Sequence, residues 1–383
     1  SDLAPALLET GMITGALWSD ADKDGDADLL VTHEWGPVKL FKNTNGKFEE
    51  SPAGISNLLG WWNGIAGCDV DHDGDIDYAV SNFGSNTKYH PNKEKPTVLY
   101  FGDFSGDGKM RIVEAKNTAD GLQPVRGFSC SSQAIPGIAQ KMGNLKPFHN
   151  FAIKALDEIY LEEQLEKALR LEVNELQSGI LLNDGSGNFT FTPLPALAQA
   201  SPSFGLQFCD ANTDGFPDLY LVQNFFGPQP ETGRMHSGLS LLLTGKGDGE
   251  FVPVWPEESG LIVSGDAKGL VSLASGEFLV SQNNDSASSF RQTKGPSKPC
   301  VLHLIGKGKN TEAIGARVSC SIENKPAGEF EIYAGSGYLS SSSRALSVPT
   351  GSGDKLDLQI RWPDGSESQH SVSPHGDHTI RQR

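Results

Sequence analysis

Short apolar runs and dense polar loops alternate along the chain in a recurring order. Four times an apolar segment (GALWS at 15–19, NGIAGC at 63–68, TVLYFG at 97–102, GLQFC at 205–209) leads into a loop rich in Asp and Gly. A β-like run follows each loop: LLVTH from 29, YAVSN from 78, IVEA from 112 and LYLVQN from 219. A second pattern, apolar strand then Asn/Gly turn then aromatic, occurs in VKLFKNTNGKF (38–48), GILLNDGSGNFTF (179–191) and LSLLLTGKGDGEF (239–251). Such turn residues between apolar runs predict hairpins. A fifth unit, LIVSGDAKGLVSLASGEFLVSQNND (261–285), keeps the strands and has lost the acidic loop. Each unit reads as a small antiparallel sheet, and one such sheet buries both faces only by stacking on its neighbours. The expected fold class is all-β: a β-propeller of about five visible four-stranded blades.

One segment breaks the pattern. Over 147–178 the apolar residues Ile153, Leu156, Ile159/Tyr160, Leu165, Leu169, Val173 and Leu176 recur at helical spacing, with no Gly or Pro after Pro147 until Gly179. This predicts one or two amphipathic helices inserted within the third unit, capping the propeller or facing a ligand. After Arg291 a Gly/Pro/Lys linker begins, and beyond it VLHLIG, ARVSCSI, EFEIYAG and LDLQIRW read as strands of a small all-β, sandwich-like domain. The expected division is a propeller over 1–292 and a second domain over 297–383.

Composition narrows the class. Apolar residues make up 37 % of the 383, enough for a packed core, and 44 Gly and 22 Pro suit many tight turns. A formal charge of -17 disfavours nucleic acid as a partner, because phosphate binding needs basic patches. No apolar run reaches the ~18 residues of a membrane span. The start, SDLAPALLETGMI, lacks an initiator Met and reads as a mature or trimmed piece of a longer chain. Cys68 and Cys209 precede acidic loops at equivalent places and read as buried thiols. Cys300 and Cys320 flank an apparent hairpin centred near Asn310, which leaves a disulfide or two free thiols open.

The acidic loops carry the candidate chemistry. In DADKDGDAD the carboxylates fall at positions 1, 3, 5 and 9 (Asp20, Asp22, Asp24, Asp28), with Gly25 at the sharp turn. The copy at 69 offers Asp69, Asp71, Asp73 and Asp77; the copy at 210 offers Asp210, Asn212, Asp214 and Asp218. Carboxylates crowded this way repel, and hard oxygen donors at alternate positions suit Ca²⁺. An EF-hand would need an acidic residue at position 12, where Val31, Val80 and Leu221 stand instead. The loop at 103 keeps Asp103, Ser105 and Asp107 but carries Arg111 at position 9, so a guanidinium is expected to replace the cation there.

These loops with their strands resemble FG-GAP/VCBS repeats, the calcium-loop blades also found in integrin α-subunit propellers. NTEAIGARV (310–318), AGSGYLSSSS (334–343) and IRWPDG (360–365) resemble the ASPIC/UnbV domain. The pairing is similar to bacterial proteins related to cartilage acidic protein, and GWWNGIAG, PVRGFSCSS and ETGRMHSG look like features of that group. The resemblance implies a calcium-stabilised propeller in a secreted, periplasmic or surface protein associated with adhesion or recognition, with no established reaction.

No nucleophile elbow, P-loop, HExxH or CxxC pairing occurs. His370, His375 and His378 form only a loose C-terminal group. Outside the loops the candidate ligand-binding residues are Trp61, Trp62 and Asn63, with Glu231, Arg234 and His236 in the long loop GPQPETGRMHSG. Adjacent tryptophans serve either as a sugar-stacking platform or as packing between blades. Two functions follow: a non-catalytic extracytoplasmic module that binds a protein or glycan, or a polysaccharide-acting enzyme with its site on the propeller face.

Overall fold

The first acidic loop joins β1 (Met12–Ser19) to β2 (Asp28–Pro37), and β3 (Lys39–Thr44) and β4 (Lys47–Ser51) complete an antiparallel sheet in chain order. β5 (Leu59–Trp61) pairs with the far end of β2. The computed structural model describes residues 4–229, 232–293, 300–348 and 354–383. The second sheet starts with β6 (Ile65–Cys68) and β7 (Asp77–Val80), and the chain then leaves it. A separate sheet of β8 (Thr97–Gly102), β9 (Arg111–Thr118) and β10 (Gly121–Pro124) intervenes. Five short helices follow it: α1 (Phe128–Ala134), α2 (Gly137–Met142), α3 (Pro147–Ala152), α4 (Leu156–Ile159) and α5 (Glu162–Lys167). β11 (Leu169–Val173) then returns to pair with β8. Only afterwards do β12 (Gly179–Asn183) and β13 (Phe189–Pro193) finish the second sheet, in the order β6-β7-β12-β13. The next sheet runs β14 (Ser203–Cys209), β15 (Asp218–Gln223), β16 (Leu241–Gly245), β17 (Phe251–Val254), and the last has β18 (Ala267–Ser272), β19 (Phe278–Gln282) and β20 (Ser288–Phe290).

Alternation along the strands explains the stacking. In β15, Leu219 and Leu221 join a core with Ala66, Ile180 and Leu206, while Tyr220 and Val222 join another with Leu270 and Val280. In β7, Tyr78 and Val80 face a core with Leu17, Leu30 and Trp62, and Ala79 faces the opposite one. These strands bury both faces, so their sequences read as unbroken apolar runs. Each fully buried large aliphatic side chain contributes roughly 1.5–3 kcal/mol. The first strands β1, β6, β14 and β18 pack in succession.

The sequence expectation of five small sheets before the linker agrees with the described residues, but two details differ. The third sheet is nested inside the second blade rather than following it, and the fifth has three strands. The helical region starts earlier than 147, breaks into short pieces at Pro136, Gly143 and Pro147, and ends by 167. Leu169 and Val173, expected on a helix, lie on β11, where Val173 packs with Leu99, Trp35 and Trp61. Pairing with β8 overrides the helix-favouring composition.

Residues after the linker form two facing sheets. One is β21 (Cys300–Ile305) between β25 (Leu346–Val348) and β28 (Gly376–Arg381); the other orders β23 (Lys325–Glu331), β22 (Arg317–Ile322), β26 (Leu356–Arg361) and β27 (Glu367–Val372). Their shared core includes Leu302, Val318, Leu358, Ile360 and Trp362. Cys300 and Cys320 also lie in it as free thiols. The hairpin expected between them does not form, because β21 and β22 belong to opposite sheets.

The segment 334–343 leaves this sandwich and crosses the first strands β1, β6, β14 and β18 in turn. β24 (Ala334–Gly335) pairs with β1, and the Gly337 amide donates to the Ile65 carbonyl at 2.7 Å. Tyr338 packs on Phe204, and Ser342 Oγ donates to Gln207 Oε1 at 2.7 Å. The Ser343 amide donates to the Ser272 carbonyl at 3.0 Å.

Candidate functional site

The three acidic loops that join first to second strands lie side by side at one end of the blades. Lys23 of the first loop pairs with Asp75 of the second, and His72 of the second packs on Phe216 of the third at 5.3 Å. The carboxylate at position 9 does the same work in every copy. One oxygen of Asp28, Asp77 and Asp218 accepts from the amide just inside its own loop, at Ala21, Val70 and Ala211. The other accepts from Asn43, Asn183 or Gly245, within the next hairpin of the same sheet. All three residues are fully buried, and each thus fastens a loop to its blade.

Asp20, Asp22 and Asp28 bring one oxygen each to within 4.8 Å of one another, and so do Asp69, Asp71 and Asp77. Asp24 and Asp73, expected as further ligands, stand outside these groups and accept instead from the amides of Asp26 (2.8 Å) and Asp75 (2.9 Å). Among the described residues the third loop brings no three acidic side chains together in this way. There Asn212 and Asp214 bond to one another, and the buried Asp210 Oδ1 has no partner.

Burial, reinforced by neighbouring carboxylates, raises the titration of Asp28, Asp69, Asp77, Asp210 and Asp218. Burial pushes Asp28 and Asp69 up to about 7 and Asp77 up to about 8, against the lowering effect of their backbone donors. Asp210 and Asp218 rise to about 6, again chiefly through burial. Asp69 is 2 % exposed, and its Oδ1 has no hydrogen-bond partner. An all-oxygen donor set with an unsatisfied buried carboxylate oxygen suits a hard cation of six to eight ligands.

The loop at 103 is built differently. Arg111 donates to both oxygens of Asp107, at 2.8 and 2.7 Å, and stands 3.8 Å from Asp103. Asp103 accepts from the amides of Ser105, Gly106, Asp107 and Gly108. The guanidinium holds Asp107 well below the usual carboxylate range. Replacing Asp107 with Ala should leave the calcium stoichiometry of the protein unchanged by elemental analysis. A lower stoichiometry would show that this loop holds metal.

The remaining candidates separate. Trp62 is fully buried in the core between the first two blades, and Trp61 is enclosed edge-to-face by Trp35, Phe83 and Tyr89. Neither offers a face to a sugar, so the platform reading is corrected to packing. Asn63 Nδ2 donates to the Ser203 carbonyl at 2.8 Å, tying neighbouring blades. Arg234 is exposed over the Phe226 ring and His236 Nδ1 meets the Arg234 carbonyl at 3.2 Å, while Glu231 lies outside the described residues. His370, His375 and His378 form no metal group among the described residues.

Reading the sequence missed the groups that the C-terminal sandwich sets against the first two loops. Arg361 Nη1 donates to Asp20 Oδ2 at 3.2 Å, and Arg317 Nη2 to the Gly74 carbonyl at 2.9 Å. The Glu329 amide donates to Asp69 Oδ2 at 3.1 Å. Glu331, fully buried, accepts from Ser19 Oγ at 2.7 Å and from the Asp20 amide at 3.1 Å. Ser19 Oγ also shares a 2.7 Å hydrogen bond with Tyr78 Oη. Beside them a cleft of about 1360 Å³ opens between the later blades and the sandwich, lined in part by Gln207, Asp210, Phe278, Phe290, Tyr333 and Arg344.

Two parts of the chain match known families. Residues 20–80, which span the first two acidic loops, match the FG-GAP-like repeat, and residues 306–383 match the ASPIC and UnbV domain. The chain thus combines an FG-GAP-like repeat with an ASPIC/UnbV domain. No curated protein matches it.

Proposed function

We propose that the chain is a non-catalytic, extracytoplasmic binding or adhesion module that recognises a protein or carbohydrate ligand on a calcium-stabilised propeller. The observation that carries the metal is the pair of three-carboxylate groups, one of which contains the buried, partnerless Asp69 Oδ1. Ca²⁺ would be held by Asp20, Asp22 and Asp28 and by Asp69, Asp71 and Asp77, with Asp24, Asp73 and the loop of Asp210, Asn212, Asp214 and Asp218 as further expected donors. The cation supplies charge neutralisation and a rigid loop, and no reaction step is asked of it. Secretion suits this reading, since millimolar calcium outside the cytoplasm fills sites of modest affinity. Among the described residues no helix is long and apolar enough to cross a membrane.

Support for ligand binding comes from the cleft between the blades and the sandwich, large enough for a peptide or oligosaccharide segment. The enzymatic alternative leaned on an aromatic platform that the packing of Trp61 and Trp62 removes. An array of acidic and neutral glycans and of extracellular proteins, probed with the calcium-loaded protein, should show retention without product. Turnover of any arrayed glycan would overturn the non-catalytic reading.

A further inference from the structure

The cover over the acidic loops is uneven. At Gly25, in the first loop, an added Cβ would stand 1.6 Å from Arg361 Nη2, so the guanidinium lies directly across that turn. At Gly74, the equivalent residue of the second loop, the nearest atoms are Lys23 Nζ at 3.8 Å and Glu329 Cγ at 4.0 Å. At Gly215 in the third loop nothing lies within 4 Å. The hydrogen bonds follow the same gradient: Arg361 and Glu331 engage the first loop, and Arg317 and Glu329 engage the second. Among the described residues no such bond runs from the sandwich to the third loop.

We infer that the first two loops are interdomain metal sites: cation loading there and docking of the C-terminal sandwich are one coupled event, and the third loop stands apart from it. This rests on the calcium reading given above. Its physical basis is that the same carboxylates serve both partners. Asp20 belongs to a three-carboxylate group and also receives Arg361, and Asp69 belongs to the other group and also receives the Glu329 amide. A loop whose carboxylates converge on a cation presents these oxygens in fixed positions. With no cation, Asp69, Asp71 and Asp77, which form no ion pair among the described residues, push apart and the contact to the Glu329 amide is lost with the geometry. At the first loop Arg361 and Lys42, each 3.2 Å from its carboxylate, neutralise Asp20 and Asp22 only in part. By linkage, whatever docking adds to cation affinity the cation returns to docking. Downstream of Glu331 runs the 334–343 segment that crosses β1, β6, β14 and β18, so its pairing with β1 and β6 reports on the docked state.

The test is hydrogen–deuterium exchange of the full-length chain, followed over 329–343, with the bound calcium counted by elemental analysis on the same samples. In calcium, the amides of Glu329, Gly337 and Ser343 should be protected, since each donates to a propeller acceptor. Stripping with EDTA, or the double substitution Asp22→Asn with Asp71→Asn in calcium, should speed exchange there by ~10-fold, inside the usual range for coupling between sites. Asp214→Asn, whose hydrogen bonds stay within the third loop, should leave exchange at 329–343 unchanged. Calcium bound at the first two loops with exchange indifferent to EDTA would overturn the coupling while the calcium reading stood. Equal exposure in Asp214→Asn and in the double variant would overturn it too, as general loosening. Absence of bound calcium from the wild-type chain would remove the calcium reading itself, and the coupling with it.

Discussion

Chelating calcium should lower the melting temperature by ~10 °C at pH 8 and far less at pH 5. The size follows from two sites, each worth about 2.7 kcal/mol when calcium is a hundredfold above its dissociation constant, at roughly 2 °C per kcal/mol or slightly less for a chain of this length. The pH dependence follows from the raised carboxylates. Asp28 and Asp69 titrate at about 7 and Asp77 at about 8 in the metal-free fold, above the ordinary aspartate value of 3.8. A raised acid favours folding only while it is protonated. Its contribution is complete below the unfolded value and is lost as pH climbs through 7–8. The metal-free protein should therefore weaken steadily from about pH 4 to pH 8. Calcium replaces the protons at high pH and competes poorly with them at low pH. Scanning calorimetry with and without EDTA at both pH values checks this. Equal shifts would mean that the acids are not the ligands.

Glu331→Ala should cost ~3–5 kcal/mol in a urea titration, as expected for breaking a buried charged network by removing one partner. The carboxylate is enclosed and holds Ser19 Oγ and the Asp20 amide, while Arg317 lies close enough to lower its titration. Burial still dominates and raises it to about 7. Alanine leaves the buried Asp20 amide without its acceptor, takes one of two partners from Ser19, which keeps Tyr78, and leaves Arg317 paired only with Glu329 at 3.3 Å. Glutamine keeps an acceptor oxygen and should lose only ~1 kcal/mol, the scale of one net hydrogen bond. An alanine variant as stable as the glutamine variant would show that water reaches the network.

The acidic loops were legible because their spacing repeats, and positions 1, 3 and 9 do converge in the first two. That Asp24 and Asp73 turn to their own backbones was not, since an Asx-type turn and a ligand share one residue type. Nor did the pattern show that Asp28, Asp77 and Asp218 clasp a later hairpin, because Asn183 lies over a hundred positions beyond Asp77. Arg317 and Arg361 were visible only as members of the motifs NTEAIGARV and IRWPDG. Their partners, Gly74 and Asp20, are 243 and 341 positions away, beyond the reach of any local periodicity. Helical spacing misread Leu169 and Val173 for a related reason: the strand they pair with, β8, is remote in sequence.

The nesting inside the second blade has a temporal side. Val80 and Gly179 are register partners, so everything from 81 to 178 must be made before β7 meets β12. At ordinary synthesis rates of 5–20 residues per second, that wait is on the order of 5–20 s. Throughout it β7 presents an unpaired, wholly buried-type edge, the kind of surface that recruits other chains. The inserted sheet and its helices have their own core around Val98, Tyr100, Ile138 and Phe151. Condensing early on that core would bring the two ends of the insertion together and shorten the exposure. Folding in that order, the insertion would act as a clamp that carries the waiting edge to its partner.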